Sequence, residues 1–210
     1  MRITELLTKD TIAIELSASD KDGVINELVD QLDQAGKLND KAAYQQAIFD
    51  REAQSTTGIG EGIAIPHAKV EAVEQPAIAF GKSQAGVDYQ SLDMQPAHLF
   101  FMIAAPAGGA QTHLDALAKL SGILMDDQVR AELLAANSPE EVLNIINKAD
   151  DEATDEEKEE VVEDASAVPA GEEEKTYILA VTACPTGIAH TYMARCLLYT
   201  SDAADDSLRV

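Results

Sequence analysis

An α/β fold, with a mixed, mostly parallel central sheet flanked by helices, is predicted by three observations. Short β-branched or apolar runs alternate with helical periodicities along the first 149 residues. Two of the runs, Pro76–Phe80 and His98–Ala104, are apolar without alternation, as strands buried on both faces are. No internal repeat interrupts this order.

The elements follow in sequence. Thr11–Leu16 (TIAIEL) is β-branched and reads as the first strand. Ser19 is the expected N-cap of a helix carrying Val24, Ile25, Leu28, Val29 and Leu32, which Gly36 ends. A second helix is expected from Asn39 or Asp40 through Tyr44, Ala47, Ile48 and Arg51. Residues 55–62 (STTGIGEG) read as turns, and Ile63–Pro66 is too short to classify. After the His98–Ala104 strand comes a Pro106–Gly109 loop, with Thr112 as the expected N-cap of a helix. Leu114, Leu117, Leu120, Ile123 and Leu124 form its apolar stripe. Ser138, Pro139 and Glu141 form a capping-box pattern for a last helix ending near Lys148.

Charge divides the chain further. The 210 residues carry 15 Lys+Arg and 38 Asp+Glu, a net of −23. Residues 1–149 hold 11 basic and 22 acidic residues, and residues 150–175 hold 2 and 13, so each segment carries −11. The second segment, too acidic to bury a core, is expected to be a disordered linker. Residues 176–194 contain a strand pattern, Thr176–Ala183, followed by a small loop and a helix start; residues 195–210 read as a non-native tail. The acidity argues against nucleic acid or an anionic membrane surface and favours a partner with a basic face. The opening MRITELLTKD is no signal peptide, and the apolar run Leu99–Ala107 is too short to span a bilayer. Two cysteines near the C-terminus make no disulfide framework, so a cytoplasmic location and no membrane insertion are expected.

Two histidines stand where phosphoryl chemistry is plausible. His67 follows Pro66 after a glycine-rich segment, and a near-neutral imidazole is a competent nucleophile; taken alone, it reads sooner as a surface turn histidine. His113 falls in the first turn of the helix after Gly108-Gly109, where free amides and the positive dipole end receive anions and keep an imidazole neutral; taken alone, it reads equally as an ordinary residue of a helix start. Arg51 is placed to steady a phosphoryl group, or to be a solvated helix-end charge. Glu61 is placed to orient His67, or to be a solvated turn residue. His98 opens an apolar strand and reads as structural. No pair of histidines has metal-ligand spacing, so neither a metal nor another cofactor is expected. Cys184 faces the loop Pro185–Ala189, whose amides suit a phosphate; a cysteine phosphatase needs Arg where His190 stands. Cys196 carries no role.

The segment Gln54-Ser55-Thr56-Thr57-Gly58-Ile59-Gly60-Glu61-Gly62-Ile63-Ala64-Ile65-Pro66-His67 resembles the active-site segment of the fructose/mannitol family of enzyme IIA domains of the bacterial phosphoenolpyruvate-dependent sugar phosphotransferase system. Separately, Cys184-Pro185-Thr186-Gly187-Ile188-Ala189-His190-Thr191-Tyr192-Met193-Ala194 resembles the phosphocysteine loop of a fructose-type enzyme IIB domain, breaking off after Ala194. The resemblance implies a IIA domain over 1–149, a tether over 150–175 and a truncated IIB start over 176–194. It implies that His67 accepts a phosphoryl group from the carrier protein HPr and that His113 stabilises the phosphorylated state. Arg51 and Glu61 would lie near the site, and Cys184 would be the next acceptor. A sugar would then be phosphorylated at a membrane-embedded IIC domain absent from this chain, which would bring the protein to the membrane. The alternative is a regulatory IIA-like module that signals its phosphorylation state to partner proteins.

Overall fold

The computed structural model describes residues 2–163. The strand expected over Thr176–Ala183, Cys184, and the segments beyond lie outside the described residues. Residues Met1–Ala153 cluster as one compact unit.

Six strands form one sheet: β1 (Leu7–Ala13), β2 (Gly58–Gly60), β3 (Ile63–Ala64), β4 (His67–Lys69), β5 (Ala77–Val87) and β6 (Ala97–Ala105). Their order is β1-β5-β6-β3-β2, with β4 pairing β6 beyond the end of β3. The β1–β5, β3–β6 and β4–β6 pairs are parallel; β5–β6 and β2–β3 are antiparallel. The sheet is therefore mixed and mostly parallel, as the sequence predicts.

Strand β6 explains the layering. Leu99, Phe101 and Ile103 face one side and join a core with α3 (Ala110–Leu124), α4 (Asp127–Ala135) and α5 (Pro139–Glu163). Phe100, Met102 and Ala104 face the other side and join a core with α1 (Lys21–Gln34) and α2 (Lys41–Gln54). A strand covered on both faces has no polar face to show, hence its unbroken apolar run.

Several boundaries differ from the sequence reading, each for a physical reason. Strand β1 starts at Leu7, which pairs with Ile78, and the ladder bulges before Ile12. At that bulge Thr11 Oγ1 accepts from the Thr8 amide at 3.1 Å, which turns Thr8–Asp10 outward. Asp20 caps α1 in place of Ser19, its carboxylate accepting from Gly23 N at 2.8 Å, and Asp40 caps α2 the same way through Ala43 N. Gly36 has φ +68° and ends α1 as expected. Helix α3 begins at Ala110 with Gly109 as N-cap, so Thr112 lies inside its first turn. Helix α4, capped by Asp126, is absent from the sequence reading.

Ser138 Oγ accepts from Glu141 N at 3.3 Å, but the Glu141 carboxylate accepts from Asn137 N, one residue earlier than a capping box requires. Helix α5 continues past Lys148 to Glu163, into the segment expected to be a disordered linker. Asp150, assigned by charge to that linker, is buried in the compact unit and binds Ile3 N at 3.1 Å and Lys119 Nζ at 2.8 Å.

Candidate functional site

His67 begins β4 opposite Ile103, so it stands on a short strand rather than in the glycine-rich turn that precedes it. Pairing with β6 gives it that strand, a non-local contact that three residues of sequence do not announce. Ala68 faces the α1–α2 core, so alternation turns His67 towards the α3 side of the sheet. His113 arrives there from α3, four residues past the Gly109 cap, its amide bonded to Gly109 O at 3.0 Å. The two imidazole centroids are 5.5 Å apart, with the rings tilted by 50°.

Hydrogen bonds define the state of His67. Its Nδ1 lies 2.7 Å from Ile65 O, and a carbonyl can only accept, so Nδ1 carries the proton. Its Nε2 is then the bare nitrogen, and it accepts from Arg51 Nε at 3.2 Å. Arg51 lies in the last turn of α2, and its Nη1 also donates to Ser55 O at 3.0 Å and Ser55 Oγ at 3.2 Å. Arg51 thus joins the imidazole, as the sequence reading places it.

Burial holds the His67 pKa below the ordinary histidine value; the Ile65 bond raises it, and Arg51 lowers it again. His113 is pushed down to about 4, first by burial and then by His67, Lys69 and Arg51. Both rings are therefore neutral at pH 7. The Nε2 of His113 is buried without a hydrogen-bond partner, and no side chain caps the α3 N-terminus beside it. A buried polar nitrogen left unpaired in a native site is a place for a ligand atom.

Glu61 does not join this group. Both ring nitrogens of His67 are taken by Ile65 and Arg51, and the Glu61 carboxylate lies 3.3 Å from Arg130 Nη2. Glu61 sits at the tip of the β2–β3 hairpin at φ +54°, between Gly60 at +98° and Gly62 at +75°. Gly62 O accepts from His98 N, whereas His67 pairs with Ile103, five residues further along β6. At the rise of a strand that is roughly 16 Å. His98 is structural as expected, with its Nδ1 donating to Ser83 O at 3.0 Å. Cys184 lies outside the described residues. Among the described residues no group of three or more His, Cys, Asp or Glu is placed to hold a metal ion.

Sequence reasoning missed Glu52, whose buried carboxylate collects donors from Lys21, Thr57 and Tyr89. These partners lie in three separate segments, so no local pattern marks it. It missed Lys69 as well, which shares the strand face of His67 by alternation and bears on His113 electrostatically.

Residues 5–149 match the family described as phosphoenolpyruvate-dependent sugar phosphotransferase system, EIIA 2. The chain belongs to this family. It is 58% identical over 194 residues to the fructose-specific EIIABC component of Bacillus subtilis, covering 92% of this chain and 30% of that protein. Against the fructose-specific EIIA component of Haloferax volcanii it is 40% identical over 149 residues, covering 70% of this chain and 97% of that one. Among solved structures, nitrogen regulatory protein IIA-Ntr from Neisseria meningitidis matches with a TM-score of 0.63 at 30% identity, over 68% of this chain and 97% of that one. The enzyme IIA of mannitol from Escherichia coli, solved in complex with phosphorylated enzyme IIB, matches with a TM-score of 0.59 at 28% identity, over 68% of this chain and 99% of that one. The EIIA domain thus accounts for the whole set of described strands, and the chain spans under a third of the length of the Bacillus relative. Among the described residues no helix is long and apolar enough to cross a membrane.

Proposed function

We propose that this chain is a phosphoryl carrier of a fructose-type sugar phosphotransferase system. His67 takes the group from the phosphohistidine of HPr and hands it to the cysteine of a IIB domain, the position held here by Cys184. The observation that carries this reading is the bare, Arg51-bonded Nε2 of His67. Arg51 Nε–H turns from the Nε2 lone pair to the incoming phosphoryl oxygens; the freed lone pair forms the new N–P bond while the donor's N–P bond breaks, and the electron pair of that bond returns to the donor imidazole. The proton on Nδ1 stays in place, bonded to Ile65 O, and the imidazole that gains the phosphoryl group needs no separate base.

Phosphoryl transfer needs charge stabilisation more than covalent rearrangement. Arg51 stands at the nucleophile to meet the phosphoryl oxygens, and His113 donates from its unpaired Nε2 when that nitrogen carries the proton. The reverse half-reaction mirrors the first: the Cys184 thiolate attacks phosphorus, the N–P bond breaks, and neutral His67 is restored. The assignment of Cys184 stands on its CPTGIAH motif and on the 58% identity to a fructose-specific EIIABC component. A IIC domain on another part of the system would then anchor the complex at the membrane. Resemblance to IIA-Ntr keeps a regulatory module as the second reading; the IIB-type motif on the same chain favours transport.

Incubation with labelled phosphoenolpyruvate, enzyme I and HPr tests the proposal. Acid-labile, base-stable label on the chain is expected, and it should vanish in His67→Ala. Label that survives this substitution would sink the assignment. A pull-down dominated by a protein that is neither HPr nor a transporter would instead favour the regulatory reading.

A further inference from the structure

Glu52 follows Arg51 on α2 and has no part in the chemistry above, yet its side chain is only 5% exposed. Its carboxylate is saturated with donors. Oε1 accepts from Tyr89 OH at 3.1 Å and from Thr57 Oγ1; Oε2 accepts from Thr57 N at 3.2 Å and from Lys21 Nζ at 2.8 Å. Lys21 Nζ lies 4.7 Å from the Tyr89 ring centroid, closing the cluster. Burying a charge is unfavourable unless every lone pair is met, and a network so completely met fixes geometry.

What it fixes is the peptide of Thr57. With its N–H and hydroxyl both turned to Glu52, the Thr57 carbonyl accepts the Ile65 amide at 3.0 Å. The Ile65 carbonyl in turn accepts the His67 Nδ1–H at 2.7 Å. The same stretch of chain presents Ser55, whose carbonyl and hydroxyl hold the guanidinium of Arg51 against His67 Nε2. The partners of both ring nitrogens are therefore set by the segment that Glu52 ties down.

We propose that Glu52 is a positioning residue for phosphoryl transfer, acting through Thr57 and Ile65 to hold His67 in the tautomer whose Nε2 carries no proton. The inference rests on the reading of His67 as the acceptor. It goes beyond that reading by naming what keeps the nucleophilic nitrogen bare.

The test is Glu52→Gln in the full chain, which keeps the shape but removes the charge and one acceptor oxygen. Nitrogen-15 NMR of the imidazoles should show His67 shared between its two tautomers. Acceptance of the phosphoryl group from phospho-HPr should slow by about tenfold or more, with the apparent KM for phospho-HPr little changed, since the Glu52 side chain is 5% exposed and offers a partner no contact. The His67 titration midpoint should fall, because the Glu52 charge raises it while Arg51 on the same helix lowers it. The other charge acting on His67, Arg51 on α2, is unchanged by the substitution, as are Lys69 on β4, which acts on His113, and the neutral His113 itself on α3. Thr57→Val, which keeps the amide bond to Glu52 and loses the hydroxyl, should shift the tautomers in the same direction by less.

A folded Glu52→Gln protein with the native tautomer, titration and transfer rate overturns the proposal. Should that variant fail to fold, Thr57→Val decides: a native tautomer and rate there overturn it as well. Failure of the wild-type chain to take label at His67 is a separate result, overturning the acceptor reading. A wild-type chain that labels normally beside variants that do the same overturns only this inference.

Discussion

At the residue scale the site is a pair of neutral imidazoles held apart in role by their partners. His67 gives its Nδ1 proton to Ile65 O and keeps Nε2 for chemistry, while His113 keeps a buried nitrogen unpaired. The depressed pKa of His113, about 4, makes its effect on stability run in one direction. Unfolding restores an ordinary histidine pKa, so between about pH 6.5 and 4 the unfolded chain binds more protons than the folded one. Stability is therefore undiminished above that window and is lost as pH falls through it. His113→Gln should remove roughly 1–2 kcal/mol of this loss, allowing for solvent screening around a part-exposed ring. The drop in Tm from pH 7 to pH 4.5 should accordingly be smaller in the variant than in the wild type; an equal drop would contradict the assignment. Arg51 answers to a different test. Lys in its place keeps the charge and loses the planar fork that reaches His67 and Ser55 together. Arg51→Lys should slow phosphoryl acceptance by about tenfold or more, measured by single-turnover labelling, while His67→Ala abolishes it.

At the element scale the helices are fastened by contacts that sequence neighbours do not supply. Helix α4 buries only Val129 and Leu133, so its own apolar stripe is weak. Its C-terminal carbonyls are instead met by Lys82, a β5 lysine only 2% exposed, whose Nζ donates to Leu134 O at 2.8 Å and to Ala136 O. Lys82→Met keeps the buried stem and strips the donor. It should cost about 2 kcal/mol in urea denaturation, with hydrogen exchange accelerated most across 127–135. Gln84 also donates to Leu134 O, so an unchanged exchange pattern would mean that Gln84 alone holds the helix end. The same non-local logic separates what the sequence discloses from what it hides. Strands β5 and β6 and helices α1, α2 and α3 announce themselves by apolar runs and caps. Strands β2, β3 and β4 have two or three residues each; β3 and β4 exist because β6 offers a ladder from a distant stretch of chain, and β2 exists because β3 then offers its other edge. The two histidines and Arg51 were legible from motif and spacing. Of the two readings open for Glu61, the exposed turn residue is the one the hairpin provides, because six residues that look close in sequence are drawn out along the ladder.

At the scale of the whole molecule the charge distribution marks a boundary, but packing moves it. Residues 150–175 carry a net charge of −11, and the family match ends at 149. Asp150 nevertheless belongs to the compact unit, 4% exposed and bonded to the Ile3 amide and to Lys119 on α3. A chain cut after Ala149 leaves the Ile3 amide and the Lys119 ammonium without that partner. A chain cut after Ala153 keeps it, along with the Arg2–Asp151 pair, which is exposed on both sides and adds little. The shorter chain should be less stable by about 1–2 kcal/mol, mainly because the buried Ile3 amide loses its acceptor, while Lys119, a third exposed, is partly met by water. Asp150→Asn in the full-length chain should reproduce part of that loss, because the amide oxygen still accepts from Ile3 but no longer offsets Lys119. The difference should persist in high salt, where an exposed ion pair would fade. Urea midpoints that coincide for the two truncations would show that the acidic segment begins where its charge does, rather than one turn of helix later.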